Sequence, residues 1–120
     1  MPDLFHERNF NGPVIGIDEA GINDDRDMLQ EMRMVLTAHR TPGMNRADVP
    51  SPAQVLRMAT EHGALTTAFG AEIGRLEPGR QMDAVILDYD SATYPYQDPD
   101  IAPLDALIHR AKSKDVKTVM

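Results

Sequence analysis

The chain has 120 residues, enough for one domain and too few for two, because a domain needs about 100 to 150 residues to bury a sound core. A hydrophobic fraction of 42% and a charged fraction of 26% exclude wholesale disorder, a collagen-like repeat and a coiled-coil rod. Twelve basic against nineteen acidic residues give a formal charge of -7, which opposes phosphate backbones and anionic lipid, so neither nucleic acid nor a membrane is an expected partner. No apolar run approaches the roughly 18 to 20 residues of a spanning helix, and residues 1–10 carry charges where a signal peptide needs an apolar stretch. A cytoplasmic location is the expectation. With no cysteine, disulfides, thiolate metal sites and cysteine nucleophiles are excluded, and any metal must be held by oxygen and imidazole.

The first element in chain order is Pro13-Val14-Ile15-Gly16-Ile17, short, apolar and β-branched, which reads as a strand buried on both faces in a parallel sheet. The Gly, Asn and Asp residues of 18–25 make a loop ending at a helix N-cap. From Arg26 to His39, Met28, Leu29, Met32, Val35 and Leu36 fall at helical spacing. Thr41-Pro42-Gly43 stops that helix. Ser51, Pro52 and Gln54 form the start of a second one, with a capping box and proline at its first position; Val55, Leu56, Met58 and Ala59 are its buried stripe and Gly63 its stop. Ala64 to Phe69 reads as a further short helix.

The pattern changes near Ala71. Glu77-Pro78-Gly79 suits a type II turn, and with the apolar run Ala84-Val85-Ile86-Leu87 it predicts a hairpin-like sheet region. Tyr89 to Asp100, with Pro95 and Pro99, reads as an irregular excursion. Leu104, Leu107, Ile108 and Ala111 form a helical stripe after Pro103, and Val116 to Met120 resumes strand character. A strand at each end of the chain without neighbours points to the C-terminal portion of a larger α/β enzyme.

Asp18 is the first candidate for chemistry. It stands directly after an apolar strand, where the C-terminal ends of parallel strands open onto active sites, and a carboxylate there can bind a metal or take a proton. The bland alternative is a loop or helix cap. Asn23, Asp25 and Asp27 are spaced like calcium ligands, but Met28 stands where the loop needs glycine and Met34 where it needs glutamate, so the helix dipole accounts for the acids. His6, His39, His62 and His109 form no His-x-His pair, and His39 and His109 suit helix C-termini.

The run 16–33, Gly-Ile-Asp-Glu-Ala-Gly-Ile-Asn-Asp-Asp-Arg-Asp-Met-Leu-Gln-Glu-Met-Arg, resembles the last barrel strand, loop and helix of the amidohydrolase superfamily, in its metal-dependent aminohydrolase branch. Ile17 replaces the threonine of the usual Gly-Thr-Asp. A second stretch, Ala53 to Thr60, then Gly63-Ala64, then Ile73 to Leu87, resembles the post-barrel helices and the return into a small β-sandwich domain, with Met82 where alanine is commoner.

The resemblance implies an α/β fold that is the C-terminal portion of a (β/α)8 TIM-barrel metal-dependent hydrolase. Residues 1–70 would be the last βα unit and post-barrel helices, and residues 71–120 a partial return into the small β-sandwich domain with one helix. It implies one divalent metal, zinc or iron, in the intact enzyme, with Asp18 as metal ligand and proton shuttle and the histidine ligands supplied by earlier strands. The implied reaction is hydrolysis of a non-peptide C–N bond, by deamination of a small cyclic amidine or nucleobase-like heterocycle, in an enzyme expected to be a homo-oligomer when intact. The chain alone, lacking the histidines, would hold no metal and be inactive. Cyclic amide hydrolysis on the same barrel is an open alternative to deamination, and the competing reading from a different class is a self-contained, non-catalytic α/β interaction module.

Overall fold

Residues 12–18, 25–70 and 72–120 are described by a computed structural model. Three amphipathic helices meet at the core, and each begins where the sequence provides a start signal. α1 (Met28–Ala38) is capped by Asp27, whose carboxylate accepts the Leu29 N–H at 2.9 Å. α2 (Pro52–Ala59) carries the full capping box: Gln54 N–H donates to the Ser51 hydroxyl at 3.3 Å and Ser51 N–H to Gln54 Oε1 at 2.8 Å. Buried Met32, Leu36, Val55 and Ile108 form the core cluster, with Ile15, Leu29, Val35, Leu56, Ala59 and Leu104 packed around it. Ile108 and Leu104 come from a later helix, Pro103–Arg110, so the core joins distant parts of the chain.

The second helix does not run to Gly63. Thr60 breaks it with φ -114 and ψ -81, its hydroxyl donating to the Leu56 carbonyl at 2.8 Å, and a short α3 (Glu61–Leu65) follows. Gly63 lies inside α3, and the helix expected at Ala64 to Phe69 is this earlier turn. The position that does require glycine is Gly74. Its φ is +89, and a Cβ there would sit 2.7 Å from Ala64 Cβ and 3.2 Å from the Thr60 carbonyl oxygen.

The Glu77–Arg80 turn forms as expected, with Gly79 at φ +89 and Arg80 N–H donating to the Glu77 carbonyl at 3.1 Å. No strand precedes β1 (Val85–Leu87) among the described residues. Its partner is β2 (Val116–Val119), antiparallel, with Val85 opposite Val119, Ile86 opposite Thr118 and Leu87 opposite Val116. The sheet is therefore a closure across the last third of the chain and not a hairpin. Between the strands lie α4 (Tyr89–Thr93) and α5 (Pro103–Arg110). α4 occupies a stretch expected to be irregular: Asp88 caps it by accepting the Ser91 N–H at 3.0 Å, and Ala92 and Thr93 are buried. The cap outweighed the nearby prolines as a signal because Pro95 and Pro99 lie beyond the helix end.

The strand expected at Pro13 to Ile17 is not formed. A parallel strand needs neighbours, and the described residues supply none, so the backbone turns to the helices instead: Ile15 N–H reaches the Met58 carbonyl at 3.4 Å. Large apolar side chains are exposed in several places, among them Val14 in this segment and Val85 (56%) and Val119 (72%) on the two-stranded sheet.

Two substitutions test this account. Leu36→Ala empties the centre of the core and is expected to cost about 2 to 5 kcal/mol, measured as a lowered urea midpoint at unchanged slope. Gly74→Ala is expected to cost about 1 to 3 kcal/mol through its left-handed backbone and the contact with Ala64, whereas alanine at exposed Gly16, which has open space around it, should change the midpoint far less.

Candidate functional site

Asp18 ends the segment 12–18, which lies across α2 and α3. Besides the Ile15 contact, His62 Nδ1–H donates to the Pro13 carbonyl at 3.2 Å, in the tautomer protonated at Nδ1. Gly12 passes so close that a Cβ would meet the His62 ring at 3.2 Å. Exposure alternates along the segment: Ile15 and Ile17 are half-buried toward the helices, and Val14, Gly16 and Asp18 face out. The alternation is that of an extended chain with one face covered. Asp18 itself adopts φ +56, a left-handed conformation that aspartate tolerates better than most residues. Its carboxylate is exposed.

The described histidines are spent on backbone carbonyls. His39 Nδ1–H donates to the Val35 carbonyl and His109 Nδ1–H to the Asp105 carbonyl, each at 2.8 Å and each at the C-terminal end of its helix. Asp25 accepts the Asp27 N–H at 3.3 Å and Asp27 caps α1, which is helix-start bonding and not cation chemistry. His6 and Asn23 lie outside the described residues. No group of three His, Asp or Glu side chains among the described residues could hold a metal ion. Asp18 is a hard, anionic oxygen donor of the kind a divalent cation takes, but it is one ligand where a catalytic centre takes about three. On their own, the residues described do not make a metal centre.

A different carboxylate is buried. Asp115, in a single helical turn Ser113–Asp115 before β2, is 1% exposed. It accepts the Ser91 hydroxyl at 2.6 Å, the Lys112 N–H at 3.0 Å and the Lys114 ammonium at 2.8 Å. The Lys114 bond first, then the Ser91 bond, hold its pKa down at about 2 against the cost of burial. Arg33, on α1, donates through Nε to the His109 carbonyl at 2.7 Å and through Nη2 to the Ala111 carbonyl, fixing the end of α5. A third group of charges surrounds Glu61, which receives Arg57 at 3.1 Å and Arg75 at 2.7 Å; Arg75 also reaches Glu77, which Arg80 bonds at 2.9 Å. The Arg80 and Arg75 bonds lower the Glu77 pKa, and the Glu61 and Glu77 bonds raise that of Arg75. These pairs pin the loop after α3 against the helix, with exposed partners and correspondingly small individual worth.

The chain matches the amidohydrolase family over residues 1–120. The chain belongs to the amidohydrolase family. It is similar to the 5-methylthioadenosine/S-adenosylhomocysteine deaminase of Syntrophomonas wolfei, at 36% identity over 107 residues, covering 89% of this chain and 24% of that protein. The corresponding deaminase of Syntrophobacter fumaroxidans is 32% identical over 117 residues, 98% of this chain and 25% of that protein. A 5'-deoxyadenosine deaminase of Methanopyrus kandleri is 33% identical over 120 residues, 99% of this chain and 26% of that protein. The chain thus spans about a quarter of the length of these relatives.

Within this amidohydrolase chain, the sequence singled out Asp18 and missed Asp115 and Arg33. Nothing local marks either: Asp115 sits in a polar Lys-Ser-Lys-Asp run that reads as solvated, and Arg33 reads as the outer face of a helix. Their partners lie in Tyr89–Thr93 and at the end of α5, which pattern alone does not bring together.

Asp115 gives a pH prediction. Its carboxylate is held at about 2 when folded, against roughly 3.9 in an unfolded chain. A depressed folded value means that its stabilising contribution is complete above about pH 4 and is lost as the pH falls toward 2. Asp115→Asn is therefore expected to lower Tm at pH 7 and to flatten the Tm profile between pH 4 and 2, followed by circular dichroism.

Proposed function

We propose that this chain supplies the C-terminal part of an amidohydrolase that hydrolyses a non-peptide C–N bond, releasing ammonia from an amino-substituted, nucleobase-like heterocycle carried on an adenosine-derived small molecule. The observation that carries the reading is the family match along the whole chain, together with relatives whose names describe adenosine-derivative deaminases. Residues 1–70 would provide the last βα unit of a TIM barrel and the helices after it, and residues 71–120 part of the small β domain. The run 12–18 would complete its strand against barrel strands from outside this chain, which accounts for an extended, half-covered segment that has no strand neighbour among the described residues.

In this reading Asp18 is one ligand of a divalent zinc or iron ion whose histidine ligands come from elsewhere in the enzyme. Such an ion, when bound, lowers the pKa of water toward neutrality. Asp18 orients the attacking water, takes its proton and returns it to the departing amine, so that ammonia leaves as a neutral molecule. Its exposure at the end of the extended segment suits a carboxylate that must reach both water and substrate. The substrate is a small molecule, the location cytoplasmic and the intact enzyme a homo-oligomer. The chain by itself, with one ligand, is inactive.

The test is a chimera in which this chain replaces the matching quarter of the Syntrophomonas wolfei deaminase, assayed for ammonia release from adenosine derivatives. A chimera that melts cooperatively and turns over supports the reading. Asp18→Asn in that chimera should reduce kcat by about 10²- to 10⁴-fold at unchanged Tm, with metal content by mass spectrometry falling alongside. Turnover that survives Asp18→Asn would remove Asp18 from the chemistry. Metal-dependent turnover by the 120-residue chain alone would overturn the ligand count.

A further inference from the structure

A cavity of about 430 Å³ opens between α1, α4, α5 and the Ser113–Asp115 turn. Its volume lies within the range of small-molecule sites. The chain as a whole carries a charge of -7, yet four cationic side chains, Arg33, Arg110, Lys112 and Lys114, line this one cavity beside a single carboxylate, Asp115. That carboxylate is already engaged by Lys114, Ser91 and the Lys112 N–H, so Lys114 and Asp115 largely cancel and the other three cations set the potential.

The two arginines are oriented without being neutralised. Arg110 donates through Nη1 to the Tyr96 carbonyl at 2.7 Å and to Gln97 Oε1 at 3.0 Å, and through Nη2 to the Tyr94 carbonyl at 2.8 Å. Arg33 is held by the His109 and Ala111 carbonyls. Carbonyl oxygens fix a guanidinium and leave its unit charge intact, and a guanidinium has five N–H groups, so each arginine keeps donors to spare. Lys112 makes no ion pair among the described residues. Preset arginine forks match phosphate oxygens, and three cations around one cavity favour a dianion over a monoanion by charge.

We propose that this cavity binds a phosphate dianion, free or as the monoester of a small metabolite, through Lys112 and the remaining N–H groups of Arg33 and Arg110. The site is separate from Asp18 and does not depend on the proposed reaction.

The experiment titrates the full chain with inorganic phosphate, ribose 5-phosphate and acetate at constant ionic strength in chloride, by calorimetry and by amide chemical shifts. Saturable phosphate binding, with shifts at residues 91–94 and 109–115, is expected. Lys112→Gln should weaken it by about tenfold or more at unchanged melting temperature, because an exposed, unpaired lysine holds no part of the fold. Tighter binding of ribose 5-phosphate would identify the ligand as a monoester, and equal binding would identify free phosphate. Absence of saturation, shifts located elsewhere, indifference to Lys112→Gln, or acetate binding as tightly as phosphate would each overturn the proposal.

Discussion

The fold depends on Arg33 as much as on its apolar core. One guanidinium on α1 takes two carbonyl oxygens from the far end of α5, the His109 and Ala111 carbonyls, and so ties the first helix to the last. The carbonyls at a helix C-terminus have no intrahelical donors, and a cation placed there satisfies them and meets the negative end of the dipole. The clamp sets the position of the Ser113–Asp115 turn, because Asp27, the cap of α1, accepts the Ser113 N–H at 3.2 Å from the same side. Asp115 is then buried against α4, and β2 leaves the turn in register with β1. Asp88 N–H donates to the Asp115 carbonyl at 2.7 Å, so the sheet and the buried carboxylate are parts of one hydrogen-bonded unit.

This arrangement explains why some elements were legible in the sequence and others were not. α1, α2 and α5 were readable because each has an apolar stripe at helical spacing and a chemical start signal, the Asn- and Asp-rich loop 18–25, the Ser51–Gln54 box or Pro103, although the cap of α1 is Asp27, two residues past that loop. The stripes also named the core correctly: Met32, Leu36, Val55 and Ile108 are all on them. The partner of β1 was not readable. Two short apolar runs with two helices between them carry no signal of pairing, and the nearer Pro78-Gly79 turn offered a local hairpin that the chain does not make. α4 was hidden for a similar reason, since five residues are too few to show a period and only its Asp88 cap announced it.

The strand at Pro13 to Ile17 teaches the opposite lesson. Its composition is that of a strand covered on both faces, and the described chain offers it only α2 and α3 on one side. Composition reflects the environment a segment evolved to occupy, and the amidohydrolase relatives that this chain matches are about four times its length. Val85 and Val119 are likewise exposed on a two-stranded sheet, although a β-branched residue stabilises a strand mainly by being packed.

Charge is distributed with the same economy. The acidic side chains that dominate the composition are largely engaged locally: Asp27 and Asp88 cap helices, Glu61 and Glu77 gather arginines, and Asp115 closes a turn. Two arginines near the end of α5 are held by carbonyls instead of carboxylates, Arg33 by those of His109 and Ala111 and Arg110 by those of Tyr94 and Tyr96. Carbonyl dipoles can hold positive charges close together where carboxylates would have cancelled them, so the two guanidinium charges persist in one cavity. Asp18 is the inverse case, a carboxylate left exposed at the end of an otherwise anchored segment, in no ion pair among the described residues. An exposed carboxylate on a backbone at φ +56 contributes little to this fold.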